Sequence, residues 1–121
     1  SATEMAAPVF AAAASGVVSA NGSTANTGGE VRALQAFAGG PTVEVGYSAA
    51  DASTGAYSMT LPTDAAAKTA YVAGATSFSF AADASTAAKY RLEAKAAGFA
   101  TPKSADITLT PPGVTTNFAF P

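Results

Sequence analysis

Apolar and polar residues alternate with a period of two in most segments of this chain. Such alternation is typical of β-strands that bury one face and expose the other. Clusters of Gly, Pro and Asn separate the segments and indicate turns between strands. The alternating positions are Val43, Val45 and Tyr47; Tyr57, Met59 and Leu61; Tyr90, Leu92 and Ala94; Ile107 and Leu109; and Thr116, Phe118 and Phe120.

Three further segments extend this pattern. Val17 and Val18 lead into the turn pair Asn21-Gly22, residues 30–37 follow a Gly-Gly pair, and residues 77–80 place two Phe side chains on one face. The total is seven to eight short strands separated by turns. This is the pattern of an all-β sandwich or barrel. Of the two, we expect a Greek-key β-sandwich of the immunoglobulin-like kind.

Two Ala-rich regions conflict with this interpretation, because Ala loses no side-chain entropy in a helix and favours that structure. They are residues 11–14 and 65–75. In the second region Thr69, Tyr71 and Val72 are better strand formers than helix formers. We expect it to form an extended hairpin arm with at most one helical turn.

Composition excludes much common enzyme chemistry. The chain has 33 Ala, 15 Thr and 11 Ser among its 121 residues, and no His, Cys or Trp. It therefore has no imidazole base, no thiol nucleophile and no Cys/His metal site. We expect a protein that is not an enzyme and that uses no cofactor and no catalytic metal.

The charge pattern limits the classes of partner. A net charge of −2 lacks the basic surface of proteins that bind nucleic acid. The charge-free stretch from Met5 up to Glu30 is interrupted by Pro8, Gly16 and Gly22, so no membrane span is predicted. Few charges, many small residues and a first residue Ser1 favour an extracellular or cell-surface protein whose signal peptide has been removed.

The order and spacing of five motifs resemble a carboxypeptidase-regulatory-like domain, a transthyretin-like seven-stranded β-sandwich. The resemblance covers residues 14–120, and each motif alone is weak. The motifs are Ser15-Gly16-Val17-Val18, Gly28-Gly29-Glu30-Val31-Arg32-Ala33, Thr54-Gly55-Ala56-Tyr57-Ser58-Met59-Thr60-Leu61-Pro62, Tyr90-Arg91-Leu92-Glu93-Ala94 with Ala97-Gly98-Phe99, and Thr116-Asn117-Phe118.

The resemblance implies an accessory module that binds, spaces or assembles, and it transfers no catalytic residue to this chain. The chain departs from the family in two places. One is an Ala/Ser/Thr-rich insertion at residues 63–89, and the other is an apolar N-terminal arm at residues 1–14. We therefore expect one sandwich domain over residues 15–121, preceded by that arm.

Isolated acidic and amide residues suggest binding chemistry only weakly. Asp51, Asp64, Asp83 and Asp106 lie in or beside predicted loops but lack the close spacing of a calcium loop, so turn capping is favoured. Asn117 stands where internal Lys–Asn cross-links of pilin and adhesin modules end. No Lys precedes Lys68, however, so an isopeptide bond is not expected.

Two features of the sequence are compatible with a glycan, one with a covalently attached glycan and the other with a bound one. Asn21-Gly22-Ser23 is a formal glycosylation sequon, although Asn-Gly equally favours a tight turn. The 4 Tyr and 7 Phe could form a sugar-binding platform, although their alternation favours core packing. Glycosylation at Asn21 and glycan partners therefore stay as alternatives to turn formation and packing.

The N-terminal arm suggests a more specific function. Its apolar residues are small and uncharged, and such a stretch favours an apolar partner. An extended peptide can add to an open sheet edge of a neighbouring molecule, whereas a flexible linker or a short helix from Pro8 would leave the arm unpaired. The assembly residues are Ala6, Ala7, Pro8, Val9, Phe10, Ala11, Ala12, Ala13 and Ala14.

The sequence thus predicts a structural subunit of an extracellular filament or surface appendage. In this hypothesis the partners are copies of the same chain, joined by strand addition of the arm, and the insertion at 63–89 adds lateral contacts. The alternative is a carbohydrate-binding or spacer module of a secreted or cell-surface protein.

Overall fold

A computed structural model describes residues 11–36, 42–63 and 88–121. These residues form eight β-strands in two four-stranded sheets, and no helix occurs among them. The expectation of an all-β sandwich is confirmed at this level. The strands are β1 (Ala11–Ala20), β2 (Glu30–Ala36), β3 (Thr42–Ala49), β4 (Ala56–Pro62), β5 (Ala88–Lys95), β6 (Lys103–Leu109), β7 (Gly113–Thr115) and β8 (Phe118–Phe120).

The first sheet is organised around β1. Strand β4 pairs with β1 antiparallel on one side, and β7 and β8 pair with it parallel on the other side. The second sheet has the order β3-β2-β5-β6, and all its pairs are antiparallel. We call these sheet 1 and sheet 2.

The core lies between the two sheets and consists of the side chains that the alternation places on one face. In β4, Tyr57, Met59 and Leu61 are buried while their neighbours are exposed. Strand β5 buries Tyr90 and Leu92 in the same way. The other buried apolar residues are Ala12, Ala14, Val18, Val31, Ala33, Ala94, Ala96, Ile107, Leu109, Phe118 and Phe120.

Residues 11–14, assigned to the arm on sequence, form the first part of β1. Residues Ala11 to Ala14 pair with Pro62 to Met59 of β4, and Ala13 also pairs with Gly113 of β7. Ala12 and Ala14 are buried, so these four residues belong to the sheet and not to a free arm or a helix. Two flanking strands supply backbone partners here, and this tertiary pairing overrides the helix propensity of Ala.

The predicted strand at Val43, Val45 and Tyr47 exists, but its apolar residues do not share a buried face. A register shift between Ala33 and Leu34 of β2 leaves Val45 without a counterpart in the pairing. Such a bulge reverses the alternation along the strand. Gly46 faces the core instead, where an added Cβ would lie 2.8 Å from Leu61 Cδ2.

A close approach at Gly16 fixes the C-terminal segment against β1. An added Cβ at Gly16 would lie 1.9 Å from the carbonyl oxygen of Thr116, so only Gly fits there. The Tyr57 hydroxyl donates to the same carbonyl at 2.5 Å, and the Val17 N–H donates to Asn117 Oδ1 at 2.9 Å. Of the strand predicted from Thr116 to the C-terminus, only Phe118–Phe120 is a strand, and a further short strand, β7, lies before it and is joined to it by Thr116 and Asn117.

The two ends of the sandwich carry different strand ends and turns. The antiparallel registers place Ala11, Ala36, Thr42, Pro62 and Ala88 at the same end, which we call the Ala11 end. At the opposite Ala20 end lie the turns at residues 21–29, 50–55 and 96–102. The strand predicted at 77–80 and the insertion from residue 64 to residue 87 lie outside the described residues.

Burial of Tyr57 predicts a loss of stability in alkali. Burial raises the pKa of Tyr57 to about 12, whereas an unfolded tyrosine titrates near 10. Above pH 10 the unfolded state therefore loses this proton before the folded state does, and stability falls as pH rises from 10 towards 12. We expect chemical denaturation of Tyr57→Phe to show a weaker dependence on pH in this window than the parent protein.

The control for this measurement is Tyr47→Phe, because half of the Tyr47 side chain is exposed. Its removal should alter the pH dependence less. The assignment to Tyr57 is wrong if both variants keep the full alkaline slope of the parent protein.

Candidate functional site

Residues 1–10 of the arm directly precede β1, the central strand of sheet 1. Strand β4 ends at Pro62, opposite Ala11, and β7 begins at Gly113, opposite Ala13. Within the described residues, neither flanking strand extends beyond Ala11 to pair with what precedes it. Residues 6–10 of the predicted assembly segment lie outside the described residues.

Strand β3 forms one edge of sheet 2 and carries exposed apolar side chains. Val43, Val45 and Tyr47 are 39%, 38% and 50% exposed, and they are the exposed large apolar residues of the described ranges. In those ranges β3 pairs only with β2. An unpaired edge with apolar side chains is the kind of surface that accepts an added strand.

The edge of β4 is partly covered by β3. The Ser58 N–H donates to Ser48 Oγ at 3.2 Å, and the Asp51 N–H donates to the Ala56 carbonyl at 2.8 Å. These bonds join the two strands near the Ala20 end of the sandwich. The remaining part of β4 ends in Pro62, which has no N–H to offer an added strand.

The other two edges carry features that oppose strand addition. Strand β6 begins with Lys103, which pairs with the buried Ala94 and so occupies a core-facing position, and Asp106 and Thr108 on β6 are exposed. Charged residues on an edge, particularly inward-facing ones, disfavour pairing with another chain. Strands β7 and β8 have three residues each, and short edge strands offer little backbone to pair.

Ion pairs occupy the outer face of sheet 2. The Arg32 guanidinium on β2 contacts Glu93 of β5 at 2.5 Å and Glu44 of β3 at 3.3 Å. The hydrogen bond to Glu93 and the charge of both acids raise the pKa of Arg32. Arg91 pairs with Asp106 of β6 at 2.6 Å. These partly exposed pairs link neighbouring strands, and each contributes little to stability on its own.

The predicted turn at Asn21-Gly22 is confirmed. Asn21 and Gly22 have φ values of 54° and 79°, and Ala20 and Ser23 exchange backbone hydrogen bonds of 2.8 and 3.0 Å across them. Positive φ at both central residues is the geometry of a type I′ hairpin turn, which Asn-Gly favours. Asn21 is exposed at the Ala20 end, and its use for glycosylation stays a hypothesis.

The described aspartates act as turn and ion-pair partners. Asp51 Oδ1 accepts the N–H groups of Ser53 and Thr54 at 2.8 and 2.9 Å, and these bonds lower the pKa of Asp51. Asp106 is paired with Arg91. Among the described residues no group of three acidic side chains is placed to hold a metal ion. Asp64 and Asp83 lie outside those residues.

A cleft of about 410 Å³ opens at the Ala20 end between the β5–β6 turn and the end of β8. Phe99 and Phe120 line it, with ring centroids 5.3 Å apart, and Lys103 Nζ lies 5.9 Å from the Phe120 ring centre. Pro102 and Pro121 complete its apolar wall. The alternation could not reveal this cleft, because Phe99 belongs to a turn and Lys103 interrupts the apolar face of β6.

Comparison of the chain with models of protein families, with curated proteins and with solved structures finds no match. In the described ranges, no helix has the length and apolar character needed to cross a membrane. The arm, the β3 edge and the cleft therefore have to be interpreted from their own chemistry.

The Asn21 turn yields a prediction that separates its two interpretations. Asn21→Ala should destabilise the protein by about 1 kcal/mol, because Ala tolerates the left-handed backbone poorly. Asn21→Gly removes the same sequon but keeps the turn, so its thermal stability should be close to that of the parent protein. Equal loss of stability in both variants would contradict a role of the Asn21 backbone conformation.

Proposed function

We propose that this protein is a non-enzymatic structural subunit of an extracellular filament or surface appendage. Its N-terminal arm adds as a β-strand to a sheet edge of a neighbouring subunit. Backbone hydrogen bonds supply the adhesion in such an arrangement, and apolar side chains add contact area. Repetition of one head-to-tail contact between identical chains produces a filament.

The observation that carries this proposal is the apolar segment that directly precedes the central strand β1. Within the described residues, β4 pairs with β1 from Ala11 onward and β7 pairs with it from Ala13 onward. Residues 5–10 of the arm are uncharged and include Met5, Val9 and Phe10. An apolar segment of this kind is stabilised by pairing with a second molecule, because pairing removes its side chains from water.

The distribution of charge supports close lateral contacts between subunits. Strands β1, β4, β7 and β8 contain no charged residue, whereas every strand of sheet 2 contains at least one. The exposed side chains of sheet 1 are mostly those of Ala, Ser and Thr. Identical subunits can stack on such a face without repulsion between like charges. The insertion at 63–89 would add to these lateral contacts.

We assign the sandwich, within this proposal, to the carboxypeptidase-regulatory-like, transthyretin-like type with Greek-key connections. Two described features support the assignment. Gly55 and Gly98 have φ values of 74° and 82°, as the tight turns of the quoted motifs require. Tyr57 and Phe118 each belong to one of the quoted motifs. Both side chains are buried in the core, where their ring centroids lie 6.2 Å apart.

Removal of the arm should abolish assembly and leave the fold intact. Deletion of residues 1–10 keeps all of β1, so circular dichroism and thermal unfolding should remain those of a folded β-sandwich. Negative-stain electron microscopy and sedimentation should then show monomers where the full chain forms filaments. Filaments of unchanged appearance from the deleted protein would contradict the proposal.

A variant with an arm of the same length tests whether assembly depends on the apolar side chains of the arm or only on its presence. Replacement of Ala6, Ala7, Val9 and Phe10 by Ser keeps the arm but removes its apolar character. It should assemble as poorly as the deletion, because the added strand would lose its apolar contacts. Normal assembly would show that the apolar side chains of the arm are not needed.

The second candidate is a carbohydrate-binding or spacer module, and the cleft at Phe99 and Phe120 favours it. Its volume falls within the range of small-molecule sites, and aromatic rings can pack against the apolar faces of sugars. In this case the full chain should appear as dispersed particles and bind a glycan saturably. Phe99→Ala should weaken that binding at least about tenfold, measured by calorimetry.

Thr101→Ala, at the rim of the same cleft, is the matched control and should change the affinity less. Absence of binding across a glycan array, together with filament formation, would contradict the carbohydrate-binding candidate.

A further inference from the structure

We infer that the acceptor of the arm is strand β3 of a second copy of this chain, along its exposed edge at Val43, Val45 and Tyr47. This inference rests on the proposed function and adds the identity of the receiving surface.

Comparison of the edges selects β3. The core-facing position of Lys103 opposes strand addition at β6, and β7 and β8 are too short to align a long partner. The edge of β4 contacts Ser48 of β3 at one end and ends in Pro62 at the other. Strand β3 has eight residues, pairs within the described ranges with β2 alone, and is hydrogen-bonded to β4 at its Ser48 end. Its one charged residue, Glu44, is paired with Arg32 of β2.

The register shift in β3 provides a second observation. Val45 has no counterpart in the β2 register, and the shift turns its side chain to the solvent. The outward-facing N–H and C=O groups of an edge strand are available to an incoming strand. The side chain of Val45 is 38% exposed and would lose that exposure on pairing.

The arm fits this edge in length and in character. Eight residues of β3 span about 26 Å at the usual rise of a strand, and the ten residues before Ala11 reach about 33 Å when extended. Met5, Val9 and Phe10 offer apolar side chains to the apolar residues of β3. Cross-strand pairs of aromatic and β-branched residues stabilise sheets.

The residues around Phe10 favour pairing of β3 with the arm of a second copy over pairing with the arm of the same chain. Thr42 and Ala11 lie at the same end of the sandwich, so the arm would have to reverse direction next to Phe10 to reach β3 of its own chain. Of the residues that favour reversals, residues 6–12 contain Pro8 alone and no Gly, Asn, Asp or Ser. An arm from another copy needs no such reversal.

The first test compares matched lysines on the two edges of sheet 2. Val45→Lys places a charge on the β3 edge, and Thr108→Lys places the same charge on the exposed β6 edge. Val45→Lys should raise the critical concentration for filament formation at least about tenfold, because an edge Lys disfavours pairing. Thr108→Lys should leave it unchanged, and both variants should keep the parent's circular dichroism.

The second test uses the absence of native Cys from the chain. Two single-Cys proteins are mixed and oxidised, one with Ala6→Cys or Ala7→Cys and the other with Val45→Cys. The two arm positions face opposite sides of an extended strand, so one of them should approach Val45 closely enough for a disulfide. The expected product is a covalent heterodimer, and Thr108→Cys in place of Val45→Cys should yield none.

The outcomes separate the acceptor from the proposed function. Filaments that are insensitive to Val45→Lys, with cross-links to Lys103→Cys at the cleft instead, would overturn the β3 acceptor and leave the filament proposal standing. Closed dimers cross-linked through Val45 would support the acceptor and overturn the filament. A parent protein that neither assembles nor cross-links would overturn both.

Discussion

Sheet 1 depends on one close contact, in which the backbone of the C-terminal segment lies directly over Gly16. The Thr116 carbonyl lies where any side chain at residue 16 would stand, and Tyr57 donates to that carbonyl from β4. Asn117 then takes the place of a strand residue by accepting the Val17 N–H. Because of this arrangement β1 holds three strands, β4 on one side and β7 followed by β8 on the other.

The two sheets are held together by a few large side chains in a chain rich in Ala. Tyr90 crosses from sheet 2 and donates to the Pro62 carbonyl at 2.5 Å, while Gly46 lets Leu61 and Met59 approach β3 closely. Small residues such as Ala12, Ala14 and Ala33 fill the remaining positions. Among the described residues, charged side chains lie only in sheet 2 and in the turns, and ion pairs such as Arg32 with Glu93 link the strands of sheet 2.

This division gives the two sheets different surfaces for assembly. Sheet 1 offers an uncharged outer face and the strand from which the arm departs. Sheet 2 offers a charged outer face and the edge of β3, where a register shift leaves Val45 without a counterpart in β2. In the proposed filament the arm and the acceptor edge belong to different sheets, so each subunit can donate one strand and receive another at the same time.

The all-β class, most strands and much of the core could be predicted from the amino-acid sequence. Alternation with a period of two shows directly which residues of a strand face inward. Tyr57, Met59, Leu61, Tyr90 and Leu92 were predictable for this reason, and so was the Asn21-Gly22 turn, whose chemistry is local. Ala11 to Ala14 form a strand only because neighbouring strands pair with them. Ala has little intrinsic preference for a strand, so the local sequence could not show this.

Tertiary structure also decided which face of β3 is exposed, the break at Thr116 and the cleft at Phe99. Each depends on a register or a contact between segments far apart in the chain, as between Val45 and β2 or Gly16 and Thr116. Local alternation carries no information about such pairings, because a shift of one residue reverses every side chain that follows it.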